Sequence, residues 1–193
     1  MADKQKIKQD IIDAAKTLFT NKGFISTTIS DISKACGYSR RTIYHHFDSK
    51  EMIMNHIIYQ ELQVLDKGIR ELMEKEMDDK YYVLCDMIVN YIIFNPFSYE
   101  AVSKTKIYKI SNIDHIQKQI FDIGNNINNN IYSIINNYYP IKMVSVYLLF
   151  QYLSAVCNLL SNNQKFILDS NNMNKNEFLR YSYDLFLRGM MNV

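Results

Sequence analysis

Residues 27–50 read TTISDISKACGYSRRTIYHHFDSK, and this stretch decides the fold. Thr28 offers a side-chain oxygen as a helix N-cap, and Asp31, three positions on, completes an approximate capping box. Ile29, Ile32, Ala35 and Cys36 recur at helical spacing and give the first helix of the stretch one apolar side. Gly37 follows at once. Glycine takes the left-handed conformation of a sharp turn without a Cβ penalty. Ser39 then caps a second short helix, in which Ile43 and Phe47, four apart, point back to a core. Arg40, Arg41, Thr42, Tyr44, His45 and His46 are left pointing outward. Asp48 and Glu51 read as a further capping box, so a third helix starts near Ser49. Lys50 falls in its first turn, where the helix dipole disfavours a cation. A nearby phosphate would explain it.

Two short helices around a tight turn, the second with a polar, basic outer side, make a helix-turn-helix. The outward residue types suit DNA. Arginine presents a bidentate fork to guanine or phosphate, threonine and histidine bond base edges or phosphates, and tyrosine reaches phosphate oxygens. An α-hairpin with a merely solvated basic side would share part of this pattern. The agreement of cap, glycine, apolar spacing and outward residues favours the reading head.

Residues 6 to about 55 resemble the DNA-binding domain of the TetR/AcrR family of transcriptional regulators. The likeness rests on LFTNKGF (Leu18 to Phe24), TTISDISKACGYS (Thr27 to Ser39), TIYHHF (Thr42 to Phe47) and SKE (Ser49 to Glu51). The chain departs from the family pattern at three places. Arg41 replaces a usual glycine or small residue and adds charge to the reading side. Tyr38 replaces a small apolar residue and Cys36 a common alanine; both look like packing variants. The resemblance implies that Arg40, Arg41, Thr42, His45 and His46 approach bases or nearby phosphates, while Thr28, Ser39, Tyr44 and Lys50 clamp the backbone. It further implies a repressor that releases DNA when a small effector binds in the body, and a dimer formed by the last two long helices.

The 193 residues carry a formal charge of only +2, distributed unevenly. Residues 1–50 hold nine Lys/Arg against five Asp/Glu, and residues 51–193 hold thirteen against fifteen. A basic head on a slightly acidic body fits nucleic-acid binding at one end. The three cysteines, Cys36, Cys85 and Cys157, lie far apart among apolar residues. They read as buried, reduced thiols suited to a cytoplasm, with redox sensing as the alternative. MADKQKIKQD lacks the apolar core of a secretory signal, and no apolar run reaches the ~18 residues of a membrane span.

Five glycines, two prolines and the lack of sustained alternation predict an all-α fold. The expected organisation is an N-terminal three-helix helix-turn-helix domain over residues 1–50 and a helical bundle over 51–193, about nine helices in all. The first helix spans about Lys4 to Asn21 and stops at Gly23. The helix from Ser49 extends towards Met77 and ties the reading head to the body, so a shift of the body would tilt the head. Further helices are expected near Lys80–Asn95, stopped by Pro96, and near Tyr99–Lys109. A longer one spans about Asp114–Asn137, where an isoleucine stripe persists through the asparagines; a low-complexity linker is the alternative. The next begins near Pro140, runs to about Asn162, and is apolar around most of its circumference, so it must be covered on several sides. The last opens with Asn174 and Glu177 as a capping box. These two C-terminal helices are the candidate homodimer interface, against a monomer whose own core absorbs them. Two-fold symmetry would let two reading helices meet a palindromic operator in double-stranded DNA.

Aromatic and methionine residues in the body, Tyr81, Tyr82, Met87, Tyr91, Phe94, Phe97, Tyr99, Tyr108 and Phe121 among them, fit either ordinary core or a pocket for a hydrophobic or cationic effector. The sequence does not place such a pocket. No cofactor is expected. His45 and His46 are neighbours on a helix, pointing about 100° apart, and cannot readily share a metal. There is no glycine-rich phosphate loop, Cys-x-x-Cys pair or paired carboxylate signature, so an enzyme is not expected. A helix-turn-helix regulator under a protein partner, an activator, and a helical interaction module without DNA binding are the alternatives to a ligand-responsive repressor.

Overall fold

The computed structural model describes residues 2–104, 114–137 and 144–191. These form nine α-helices and no strand: α1 (Ala2–Lys22), α2 (Ile29–Cys36), α3 (Arg40–His46), α4 (Lys50–Glu74), α5 (Lys80–Phe94), α6 (Pro96–Lys104), α7 (His115–Asn136), α8 (Val144–Asn171) and α9 (Lys175–Met191). They pack as two compact units, one drawn from Met1–Gln63 and Asn95–Ile123, the other from Val64–Phe94 and Gly124–Val193. The packing therefore does not divide at residue 50. Ile53 and Ile57, in the first half of α4, are buried in the same cluster as the helix-turn-helix, so that half of the helix belongs to the first unit.

In the first unit, Ile11, Ile12, Ala15 and Phe19 of α1 meet Ile32 of α2, with Ile43 and Phe47 from α3 and its C-cap. Burying each such side chain is worth about 1.5–3 kcal/mol. Phe19 also stacks with Phe24 and Phe97, at 5.1 and 5.2 Å between ring centroids. Lys16 joins α1 to α4 through a 2.8 Å ion pair with the buried Glu61.

Helix ends differ from expectation where two candidates compete. Ser49 caps α4, its Oγ accepting from Met52 N–H at 3.1 Å, so the Asp48–Glu51 box does not operate there. Pro96 ends one helix and opens the next. It occupies the first position of α6, where a missing N–H is harmless, and Tyr99 N–H donates to Asn95 O at 3.0 Å. The expected stretch to Lys109 and the start at Pro140 lie outside the described residues. The asparagine-rich segment is helical: Ile127, Ile131, Ile134 and Ile135 of α7 are buried, while Asn125, Asn126 and Asn129 face solvent. Asp114 and Gln117 cap it reciprocally, at 2.7 and 3.2 Å. The next helix does not end at Asn162. The backbone breaks at Asn163 (φ −137°, ψ 25°) and then resumes to Asn171.

The second unit is fixed by tyrosines. Tyr183 of α9 is fully buried and donates to Asp86 Oδ1 on α5 at 2.8 Å. Tyr81 donates to Tyr183 O at 2.9 Å, Tyr82 to Asp184 Oδ1 at 2.5 Å, and Tyr152 of α8 to Ser182 O at 3.0 Å. Burial first, then the Asp86 partner, pushes the Tyr183 phenol far above its ordinary range. Asn174 and Glu177 form the expected capping box at the start of α9, at 2.8 and 3.0 Å. Tyr183→Phe keeps the ring and removes the charge-assisted hydrogen bond, so stability should fall by roughly 1–3 kcal/mol in urea denaturation. An unchanged midpoint would mean that the bond carries no net weight.

Candidate nucleic-acid interface

The turn between α2 and α3 is built as its residues require. Thr28 Oγ1 accepts from Asp31 N–H at 3.1 Å, and Thr28 N–H donates to Asp31 Oδ2 at 2.9 Å. Lys22 bonds the same carboxylate at 2.9 Å. The Lys22 bond first, then those from Thr28, hold the Asp31 carboxyl well below the usual carboxylate range. Gly37 takes the left-handed conformation (φ 76°), and its N–H donates to Ser33 O at 3.1 Å. Ser39 caps α3 by accepting from Thr42 N–H at 3.1 Å, and the two hydroxyls lie 2.9 Å apart. Tyr38 packs as a variant should: its hydroxyl donates to Asp10 Oδ2 on α1 at 2.8 Å and pins the turn.

Ile43 and Phe47 face inward and are buried, which turns the rest of α3 outward. Arg40, Arg41, Tyr44 and His45 are exposed. Arg40 and Arg41 make no ion pair or hydrogen bond among the described residues. Thr42 and His46 are half-buried. The α3 residues thus lie around the part of the helix turned away from the core, and Thr28 and Ser39 are exposed at the two helix starts. Their hydroxyls, however, are already engaged in capping.

Lys50 has partners within the chain that the sequence did not suggest. Its Nζ donates to Phe24 O and Thr27 O, both at 2.7 Å, and lies 4.3 Å from the centroid of the Phe24 ring. Two backbone carbonyls just before α2 therefore hold the cation, and no phosphate is needed to explain its place in the first turn of α4. Neither carbonyl is near Lys50 in sequence, so no local pattern could reveal this. Sequence reasoning also passed over Lys4 and Lys8 of α1. The two are four residues apart, and such spacing places them on one side of a helix. Lys8 Nζ lies 5.6 Å from the Phe47 ring centroid. Lys50→Met should lower the stability of the chain by roughly 1–3 kcal/mol, because the carbonyls lose charged donors. Thermal unfolding at neutral pH checks this; an unaltered melting temperature would return Lys50 to a purely external role.

Comparison with known proteins agrees with this geometry. Residues 11–57 match the model of the bacterial regulatory proteins of the tetR family. The chain is 36% identical over 73 residues to the HTH-type transcriptional repressor KstR2 of Rhodococcus jostii, covering 38% of this chain and 36% of that protein. Over 47 residues it is 47% identical to IcaR of Staphylococcus epidermidis, a negative transcriptional regulator of the biofilm operon icaADBC, covering 24% and 25%. The chain thus spans about a third of the length of the first curated relatives it matches. Likeness in fold extends much further. The fatty acid degradation regulator FadR of Bacillus halodurans superposes with a TM-score of 0.69 at 20% identity, over 95% of this chain and 96% of that one. FadR of Bacillus subtilis, solved in complex with stearoyl-CoA, gives 0.64 at 19% identity, over 94% and 98%. Residues 11–57 thus carry a helix-turn-helix of the tetR type, set in an all-helical fold shared with these solved structures.

Proposed function

We propose that the chain is a homodimeric repressor that reads a palindromic site in double-stranded DNA through α3 and lets go when a small apolar or cationic effector binds its body. The observation that carries this reading is the outer side of α3, where Arg40, Arg41, Tyr44 and His45 stand exposed beside Thr42 and His46. Two bidentate guanidiniums on the outside of a seven-residue helix are suited to a major groove. Thr28 and Ser39 stand exposed at the helix starts, and in this reading they approach the phosphate backbone. Relatives over this segment are named repressors.

A second copy fits the C-terminal helices. Leu148 and Leu159 on α8, and Tyr181 and Leu185 on α9, are 45–51% exposed in the single chain. Their spacing puts each pair on one side of its helix. Apolar side chains left open on two adjacent long helices fit a symmetric four-helix contact. In this reading residues 1–50 bind DNA and 51–193 serve effector binding and dimerisation. The B. subtilis protein of like fold that carries stearoyl-CoA supports a large apolar molecule as one effector class. Release would travel along α4. That helix contributes to both compact units, and Lys50 in its first turn grips the carbonyls that lead into α2. Such a regulator works in the cytoplasm, where thiols such as Cys85 and Cys157 stay reduced.

Selection from random DNA followed by fluorescence anisotropy tests the reading. The wild-type chain should enrich a palindrome and bind it well above scrambled duplex. Arg41→Ala should cost about 1–3 kcal/mol and relax preference at particular base pairs; equal discrimination by both proteins would remove Arg41 from base reading. Leu148→Glu combined with Leu185→Glu should shift the light-scattering mass from two chains to one and weaken operator binding. A one-chain mass for the wild type would contradict the dimer.

A further inference from the structure

Lys4 and Lys8 bring cations from α1 to the end of α3. Lys8 is half-buried, and its Nζ faces the Phe47 ring. His45 and His46 lie edge to face with centroids 5.4 Å apart, and His56 of α4 meets Phe47 edge to face, also at 5.4 Å. Lys8 and His56 thus flank the Phe47 ring, and the next residue back, His46, feels His45, Lys4 and Lys8. Neither Lys4 nor Lys8 forms an ion pair or hydrogen bond among the described residues.

The electrostatics bear the marks of this crowding. Burial lowers the Lys8 ammonium. Burial, then His45, Lys4 and Lys8, lower the His46 imidazole. Burial and Lys8 lower His56, against a raising influence from Asp114, the only carboxylate among the described residues that acts on either imidazole. The C-terminal carbonyls of α3 attract His45 and His46. They do not account for Lys4, which sits in the first turn of its own helix, the end that disfavours cations. A cation cluster with little internal counter-charge is stable only weakly by itself and is completed by an external anion.

We infer that the face formed by the start of α1 and the end of α3 is a phosphodiester site, in which Lys4, Lys8 and protonated His46 hold a DNA backbone phosphate, and that DNA binding takes up a proton there. This rests on the DNA-binding reading above and adds two lysines outside the helix-turn-helix. It also sets two pH dependences against each other. Without DNA, the lowered imidazoles bind fewer protons than they do in the unfolded chain. Stability therefore rises with pH through the window just below 6.5 and falls as pH drops through the folded values. With DNA, the phosphate raises His46, so affinity falls as pH rises.

The test uses the full chain and a duplex obtained by selection from random DNA, titrated by anisotropy across salt concentrations at pH 6, 7 and 8. Lys4→Gln and Lys8→Gln should each reduce the slope of log affinity against log salt by roughly 0.9. Wild-type affinity should fall between pH 6 and 8 by up to about tenfold per unit for one linked proton, and His46→Gln should flatten that fall. Thermal unfolding of Lys8→Gln at pH 6 should show no loss of stability, which separates binding from packing. By NMR, the His46 imidazole should titrate higher with duplex than with inorganic phosphate at equal ionic strength. Unchanged slopes and pH profile in variants that bind the duplex would overturn the phosphate site alone. An equal effect of inorganic phosphate would reduce it to a general anion site and also overturn the inference. Failure of the wild type to bind any duplex would remove the DNA-binding reading and this inference with it.

Discussion

The core of the first unit is built around two side chains of α3. Ile43 and Phe47 are the apolar anchors of a seven-residue helix too short to stand alone in water. Once both enter the cluster formed by Ile11, Ile12, Phe19, Ile32 and Ile53, the helical period leaves Arg40, Arg41, Tyr44 and His45 no direction but outward. The exposed basic surface is thus a consequence of the core, and the capping bonds at Thr28 and Ser39 fix where each helix of the pair begins. Gly37 supplies the one backbone conformation between them that other residues resist.

Local cues made this segment legible in the sequence. The cap at Thr28, the left-handed glycine and the anchor spacing each act within a few residues, and the structure realises all three. The same holds for Asn174 and Glu177 in α9, and for the isoleucines that keep α7 helical through its asparagines. Reading became less sharp where two residues offered the same service. Asp48 and Ser49 are both capping types, and only the position of the Ser49 hydroxyl relative to Met52 N–H chooses between them. Pro96 read as a stop, yet it is equally a start.

Interactions between distant residues were not legible. Lys50 looked misplaced because a helix dipole is a local argument, whereas its partners lie in the loop at Phe24 and Thr27. The tyrosines of α5 looked like core or pocket lining. Tyr81 is core, and it and Tyr82 are also ties to α9, with partners about a hundred residues further on. The gathering of Lys4 and Lys8 beside Phe47 and His46 likewise depends on how α1 crosses the end of α3. Each of these features lies in tertiary placement.

Hydroxyl-radical and methylation footprinting of a selected duplex addresses the central claim most directly. Two protected patches related by a dyad, with guanine N7 shielded in successive major grooves at least one turn apart, are the result this account requires. Protection confined to the backbone without any shielded guanine, or a single patch at saturating protein, would contradict it.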